Sequence, residues 1–291
     1  MKTLKIGYIS DEHLDFYIKE KNPNSPKLKR LIQNYITQIL KPEGGDILLC
    51  AGDISHYNEQ TKVYLKEMTK YYNNVIFVHG NHDLYLVSER QKQKYNKQSF
   101  ARLEELREFA DSEPCIHFLE GSSITVDGLT IGGLANWYNL PTPGLIAQWK
   151  EVMNDSNLIM EGSEPSHINY GYGAYEKIPS FDTQEFRKEI EKQWDNLKDT
   201  GGCDILLTHI CPVIIPDEHL LSYHVDDGNN IFYMTDDLQR VKDLGCTTVV
   251  YGHNHQIKKW EIHGLDFKTN TIGYPMEYVG NNIKHFDFVL P

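Results

Sequence analysis

The chain has 291 residues, of which 40% are hydrophobic and 24% are charged, and its formal net charge is -12. This composition is typical of a globular protein with a buried core, and it excludes a disordered chain or a small disulfide-rich one. No stretch approaches the roughly 18 consecutive apolar residues that a membrane helix needs. The excess of acidic residues disfavours nucleic acid as a partner without excluding it, because backbone phosphates are bound by clustered basic side chains.

Cysteine usage and the N-terminal sequence favour a cytoplasmic protein without membrane contacts. The five cysteines form no Cys-x-x-Cys pair, which argues against a disulfide framework and against a cysteine zinc site. Asp11 and Glu12 interrupt the N-terminal segment before the apolar core of a secretion signal can develop. Protein partners and the oligomeric state stay open.

The first half of the chain alternates between buried strands and amphipathic helices. Strands are predicted at 4–10, 46–50 and 74–80, and helices at 26–40, 59–72 and 100–110. The first long helix begins at Ser25 and Pro26, a typical N-cap followed by a first-turn proline. This alternation predicts parallel strands joined by helices.

The second half adds antiparallel structure to this pattern. Residues 116–135, with Asp127 and Gly128 in the middle, are predicted to form a β-hairpin, and Asp182 has the context of a helix N-cap. Further strands are predicted at 203–209 and 246–252, and several short strands are predicted within 256–290. The fold class is therefore α/β, a four-layer α/β/β/α sandwich with mixed sheets in one domain spanning 1–291.

Residues 135–180, hereafter the 135–180 segment, are rich in aromatic residues, proline and glycine. Its aromatic side chains either pack against the rest of the domain, or form a cap that stacks on a planar group of a substrate. Both interpretations stay open. Trp137 is the candidate for a substrate contact at the pocket rim, and His224 is a second pocket candidate.

Polar side chains of the kinds that bind metal ions follow five of the predicted strands. In open α/β sheets ligands bind beyond the carboxyl ends of the strands, so these residues are expected to form one cluster. The first three strands are followed by Asp11 and His13, by Asp53, and by Asn81, His82 and Asp83; the later two are followed by His209, and by His253 and His255.

Imidazole and carboxylate ligands together suit first-row transition ions, namely Mn, Fe, Zn, Co or Ni. Asp-x-His and Gly-Asp pairs are common, but the blocks Gly80–Asp83 and Gly252–His255 each have roughly a few chances in a thousand of arising at random. Two divalent ions beside Asp11 and Asp53 would leave a net charge of about +2, which attracts a phosphate.

In this order, the five blocks resemble the calcineurin-like metallophosphoesterase family. Its pattern is Asp-x-His, Gly-Asp, Gly-Asn-His-Asp/Glu, a later His, and Gly-His-x-His, and all five parts occur between Asp11 and His255. The resemblance implies two divalent metal ions, Mn²⁺ being the first expectation. It also implies hydrolysis of a small phosphoester by a hydroxide that bridges the ions.

The resemblance also implies roles for individual residues. His82 would stabilise or protonate the leaving group, and Asp83 would orient its ring. The metal ligands would be Asp11, His13 and His255 for the first ion, Asn81, His209 and His253 for the second, and Asp53 as the bridge.

Two departures from the protein-phosphatase branch of the family favour a phosphodiester or nucleotide-type substrate. That branch looks like Gly-Asp-x-Val-Asp-Arg-Gly at the second block and has an arginine soon after the third. Here the second block ends Ile54-Ser55-His56 and Leu84 follows the third, so the phosphate-binding arginines are missing. His56 is expected in a loop or at the pocket rim, as a candidate for a substrate contact rather than as a metal ligand. The alternatives are a DNA or RNA nuclease, a phosphomonoesterase or protein phosphatase, and, least favoured because no ligand is missing, a non-catalytic scaffold.

Overall fold

The computed structural model describes residues 2–171, 174–219, 230–277 and 279–290. Two mixed β-sheets pack face to face, and helices cover both outer faces. The predicted α/β class with an α/β/β/α arrangement is confirmed. No helix in these described ranges is long and apolar enough to cross a membrane.

Five strands form the first sheet: β1 (Thr3–Ile9), β2 (Gly45–Ala51), β3 (Tyr72–Val78), β4 (Ile116–Phe118) and β13 (Lys284–Val289). Their order across the sheet is β13-β1-β2-β3-β4. Strands β1 to β4 are parallel, and β13 pairs antiparallel with β1 at one edge.

Six strands form the second sheet: β5 (Ser122–Val126), β6 (Leu129–Leu134), β9 (Ile205–Thr208), β10 (Thr248–Tyr251), β11 (Ile257–Ile262) and β12 (Leu265–Asn270). Their order is β11-β12-β10-β9-β6-β5, with parallel pairing in the centre and an antiparallel hairpin at each edge. The predicted turn at Asp127 and Gly128 joins β5 to β6, and both residues have positive φ as a tight hairpin turn requires. A separate hairpin, β7 (Ser166–Gly171) and β8 (Ala174–Ile178), belongs to the 135–180 segment.

Nine α-helices lie in the described ranges: α1 (Leu14–Tyr17), α2 (Pro26–Tyr35), α3 (Asn58–Met68), α4 (Glu89–Lys94), α5 (Phe100–Ser112), α6 (Pro143–Val152), α7 (Asp155–Leu158), α8 (Thr183–Asp199) and α9 (Leu238–Asp243). Helix α2 continues as a π-helical turn at Ile36–Leu40. The predicted caps are present: Ser25 Oγ accepts from the Lys27 amide, and Asp182 Oδ1 accepts from the amides of Gln184 and Glu185.

The hydrophobic core is divided by the sheets into an inner layer and two outer layers. Between the sheets, aliphatic side chains of β1, β2 and β3 meet those of β6, β9 and β10, and Ile6, Leu49 and Leu207 are fully buried there. Helices α2, α3 and α5 cover the outside of the first sheet, while α8 and α9 cover the second. Burial of each such aliphatic side chain contributes about 2 kcal/mol, so this packing fixes the strand ends relative to one another.

Candidate metal centre

Loops at the carboxyl ends of both sheets bring the predicted ligands into one buried cluster. The amides of Asp11 and His13 donate to the carbonyl oxygens of Gly52 and Asp53, at 3.0 and 3.1 Å, which ties the first two loops together. The side chains form three overlapping groups, and in each group the potential ligand atoms lie within 4.8 Å of one another. The groups are Asp11, His13 and His255; His13, Asp53 and His82; and Asp53, His209 and His253.

The unprotonated ring nitrogens of His209 and His253 face each other. His209 Nδ1 lies 2.8 Å from the Ala51 carbonyl oxygen, and His253 Nε2 lies 2.9 Å from the Phe232 carbonyl oxygen. Because a carbonyl oxygen only accepts, these two nitrogens carry the ring protons. The remaining nitrogens, His209 Nε2 and His253 Nδ1, lie 3.2 Å apart and have no proton to share when the rings are neutral.

This arrangement fits a bound cation. An ion about 2.1 Å from each imidazole nitrogen would hold the two nitrogens about 3.0 to 3.4 Å apart. Two further oxygens approach His209 Nε2, namely Asn81 Oδ1 at 3.1 Å and Asp53 Oδ2 at 3.5 Å. Two nitrogens, an amide oxygen and a carboxylate oxygen therefore converge on one position, a donor set that divalent first-row metals accept.

A second convergence lies beside it. His13 Nε2 lies 3.2 Å from His255 Nε2, and Asp11 Oδ1 lies 3.6 Å from the same His255 nitrogen. The other nitrogen of His255, Nδ1, lies 2.7 Å from Glu277 Oε2, so the ring N–H at Nδ1 donates to the carboxylate and Nε2 can bind a metal. Glu277 was not identified from the sequence, because it belongs to no recognisable motif.

Backbone strain is concentrated at these loops. Residues other than glycine rarely adopt positive φ, and each such residue costs roughly 1–3 kcal/mol. The chain turns sharply where each strand ends, and five predicted ligands have positive φ there. Their φ values are 53° for Asp11, 41° for His13, 59° for Asp53, 71° for His253 and 46° for His255.

Burial shifts the protonation of the cluster in the metal-free protein. Burial and the nearby Asp11 and Asp83 carboxylates raise the pKa of Asp53 well above its usual value. Burial and the neighbouring imidazoles lower the pKa of His13 and His209 well below the usual value. Burial in the cluster thus disfavours charged side chains. A divalent cation would lower the pKa of the carboxylates again, because it attracts their negative charge.

His82 stands at the edge of the cluster with one ring nitrogen directed to the open side. Its backbone amide donates to Asp53 Oδ1 at 2.8 Å, which fixes the loop after β3 against the loop after β2. Its Nε2 lies 3.2 Å from the Tyr274 hydroxyl and 3.9 Å from Asp53 Oδ2. His82 therefore presents Nε2 to any group that binds beside the metal positions.

The other nitrogen of His82 belongs to a hydrogen-bonded chain that ends at Asp15. His82 Nδ1 lies 2.7 Å from His56 Nε2, and His56 Nδ1 lies 2.8 Å from Asp15 Oδ2. Although burial favours the neutral acid, the contacts with His56 lower the pKa of Asp15. An ionised Asp15 accepts from His56, so His56 Nε2 accepts in turn from His82 and leaves a lone pair on His82 Nε2.

Two sequence predictions are wrong here. Asp83 does not orient the His82 ring, because its Oδ2 accepts from the backbone amides of Gly80 and Asp53, at 2.8 and 2.9 Å, and so fixes the loops. His56 does not lie at the rim, since it is only 7% exposed and both its ring nitrogens are engaged.

A pocket of about 290 Å³ opens over the cluster. Apart from residues of the strand-end loops, its lining comes from three parts of the chain that no motif marked: Val152, Met153 and Asn154 of the 135–180 segment, Tyr233, and Tyr274 with Glu277. Tyr85, which follows the third block, completes this wall.

The predicted rim contact of Trp137 is also wrong. Its side chain is 0% exposed and packs against Phe181 and Phe186, and its indole N–H donates to Thr183 Oγ1 at 2.9 Å. A large apolar ring with one satisfied polar atom is stable in a core, which is where this residue lies. Packing therefore accounts for Trp137, whereas the turn at 152–154 reaches the pocket. His224 lies outside the described residues.

Comparisons with known proteins bear on the family and the fold of this chain. A family model described as calcineurin-like phosphoesterase matches residues 4–257. The phosphopantetheinyl hydrolase from Mycobacterium tuberculosis has a TM-score of 0.65 at 18% identity, with 99% of this chain and 96% of the relative covered. A Plasmodium anchor protein of the inner membrane complex has a TM-score of 0.37 at 14% identity, over 94% and 72% of the chains. Curated protein sequences give no significant match. The first likeness shows a shared fold alone.

Proposed function

Because the chain belongs to the calcineurin-like phosphoesterase family of hydrolases that act on phosphoester bonds, we propose that it cleaves phosphodiesters with two divalent metal ions. Asp11, His13 and His255 would hold the first ion, Asn81, His209 and His253 would hold the second, and Asp53 would contribute to both positions. Mn²⁺ is our first expectation for both positions, since these ligand types accept several ions. When bound, two such ions activate a water nucleophile and offset the charge on the phosphoryl oxygens.

The charge of the pocket is the observation that carries the preference for a diester. No lysine or arginine lines the pocket in the described part of the chain, and the residues outside that part include neither. Glu277 adds a carboxylate to the lining. A monoester dianion or a nucleoside polyphosphate would have no lysine or arginine side chain to offset its extra charge, whereas a diester carries a single negative charge.

His82 is the catalytic residue that we assign to the leaving group. Its Nε2 faces the pocket, and its Nδ1 donates along the chain to His56 and Asp15. A proton taken up at Nε2 from water is stabilised by the carboxylate at the far end of this chain, and it can then be given to the departing alkoxide oxygen, which leaves as the alcohol. Tyr274, within 3.2 Å of Nε2, fixes the ring on the pocket side.

A paired assay tests the proposed function. Metal-stripped protein is reloaded with Mn²⁺, and initial rates are compared for bis-p-nitrophenyl phosphate and p-nitrophenyl phosphate, with a phosphopantetheine diester as a further substrate. We expect a higher kcat/KM for the diester than for the monoester. Faster monoester cleavage would overturn the diester assignment, and no cleavage of any substrate with two metals bound would overturn the hydrolase assignment.

A matched pair of variants tests the charge argument itself. Val152 lines the pocket and is 48% exposed, so its substitution leaves the core intact. Val152→Lys should raise the monoester rate relative to the diester rate, because it supplies the missing cation, while Val152→Met should leave the ratio unchanged. An unchanged ratio in Val152→Lys would show that pocket charge does not set the preference.

A further inference from the structure

The 135–180 segment reaches the proposed metal site through one buried carboxylate. Asp155, the first residue of α7, is 0% exposed. Its Oδ1 accepts from Asn81 Nδ2 at 2.9 Å and from the Tyr85 hydroxyl at 2.5 Å. Its Oδ2 accepts from the Tyr138 hydroxyl. Asp155 thus contacts one of the proposed ligands of the second ion directly.

This contact determines which way the Asn81 amide faces. The two ends of an asparagine amide have nearly the same shape, so only hydrogen bonds decide between them. An ionised Asp155 can only accept, so the Asn81 nitrogen must face it. The Asn81 oxygen is then directed to the opposite side, where it lies 3.1 Å from His209 Nε2. A flipped amide would present N–H groups, which cannot bind a metal.

The charge of Asp155 is a second observation that favours a metal ion beside Asn81. The hydrogen bonds that the structure shows to this carboxylate come from an amide and two phenols, so none of these donors is cationic. A buried carboxylate without a cationic partner is costly in free energy. A divalent ion at the neighbouring ligands would compensate that charge, which makes Asp155 favourable in the metal-loaded protein.

We propose that Asp155 is a positioning residue that sets the Asn81 amide for the second metal ion, so that the 135–180 segment helps to build the metal centre. This inference rests on the dinuclear site of the proposed function. The competing explanation is that Asp155 only anchors α7 to the domain. The two explanations differ in metal binding, because an anchor would affect stability without acting on one metal position.

The test measures Mn²⁺ binding to Asp155→Asn and Asp155→Ala, with Tyr138→Phe as the matched control. Tyr138 donates to the Asp155 oxygen that Asn81 does not use, so its loss leaves the Asn81 contact in place. Binding is followed by titration and by electron paramagnetic resonance, which distinguishes a spin-coupled pair of Mn²⁺ ions from a single ion. Thermal unfolding in EDTA reports the stability of each metal-free variant.

We expect Asp155→Ala to weaken the second Mn²⁺ by about 10- to 100-fold and to replace the coupled signal by that of a single ion. Asp155→Asn, which keeps an acceptor but loses the charge, should show a smaller loss and serves alone if the alanine variant does not fold. Tyr138→Phe should keep the coupled signal. Two ions bound with wild-type affinity in Asp155→Asn and in any folded Asp155→Ala would overturn the inference. Failure of the wild-type protein to bind two ions would instead overturn the proposed function.

Discussion

His82 connects the pocket to a buried chain of polar groups. One nitrogen faces Tyr274 and the open side, while the other begins the chain through His56 to Asp15. His56 and Asp15 do not touch the pocket's reacting region, so we regard them as positioning residues. They fix both the direction of the His82 ring and the position of its proton.

Replacement of His82 by alanine should slow turnover with little effect on the metal content. Loss of a proton donor typically costs 10²- to 10⁴-fold in rate, and we expect kcat for Mn²⁺-loaded His82→Ala to fall within that range. Metal analysis and kinetics of the same samples check this. His117→Gln, a histidine change on β4, is the control. A parallel loss of metal and activity would mean that His82 is a ligand.

The loss of activity on replacement of His56 should depend on the leaving group. Without His56, the proton on His82 Nδ1 loses its acceptor, so a second proton at Nε2 is less stabilised, and a poor leaving group depends most on protonation from Nε2. For His56→Ala we expect kcat to fall about 10- to 100-fold with an alkyl leaving group and much less with p-nitrophenolate. KM should stay near the wild-type value. An equal loss for both leaving groups would indicate a purely structural role.

At the scale of the elements, the loops after the strands hold the ligands under backbone strain. His255 has φ of 46°, and its free Nε2 faces His13. In the metal-free protein, His255→Gly relieves the positive φ, which offsets much of the free energy of the lost ring contacts. We expect a free energy of unfolding within about 1 kcal/mol of wild type, against the 2–5 kcal/mol usual for truncating a buried side chain.

Urea unfolding in EDTA measures this effect, and repetition in Mn²⁺ provides the comparison. The wild-type protein should gain stability from the metal, whereas His255→Gly should gain less because its first site has lost a ligand. A loss of more than about 2 kcal/mol in EDTA would show that the loop conformation is not strained.

Helix α5 is attached to α3 and α4 by Glu105, which predicts a pH dependence outside the site. Burial opposes ionisation, but hydrogen bonds from Lys62, Lys94 and Tyr95 lower the pKa of Glu105 to about 2. Because the pKa is lower in the folded state, ionised Glu105 stabilises the protein at pH values above its unfolded pKa, which is near 4.5. This stabilisation is lost as the pH falls toward the folded pKa of about 2.

Glu105→Gln should therefore cost about 1 kcal/mol at pH 7, a figure that allows for the solvent exposure of the ion pairs. The cost should shrink as the pH falls from 5 to 3. Urea unfolding of both proteins in EDTA across this range checks the sign. A cost that stays constant with pH would show that the charge of Glu105 does not contribute.

The elements and the ligand cluster could be predicted from the sequence because their signals are local. Helix caps such as Ser25 and Asp182 show in a few neighbouring residues, and parallel strands bring their ends together by rule. Other contacts could not be predicted, since they join residues far apart in the chain: Asp15 lies 41 positions from His56, and Asp155 lies 74 from Asn81. The predicted rim position of Trp137 was wrong because the sequence alone does not distinguish an aromatic residue that packs in a core from one at a pocket rim when the segment is irregular.

At the scale of the whole molecule, charge limits the substrates. The net charge of -12 and a pocket lining without lysine or arginine in the described ranges disfavour contacts along a nucleic-acid backbone. We therefore keep the nuclease as the less favoured alternative to a small diester. The packing of two sheets against each other serves this site, because strand ends from both sheets supply its ligands.

In the proposed function, five strand ends together build one dinuclear metal site. Crystals grown with Mn²⁺ and measured at the manganese absorption edge test it most directly. We predict two anomalous peaks roughly 3.5–4 Å apart, one beside His13 and His255, the other beside His209 and His253, with Asp53 between them. A single peak, or no peak among these residues in crystals that contain the metal elsewhere, would contradict the claim.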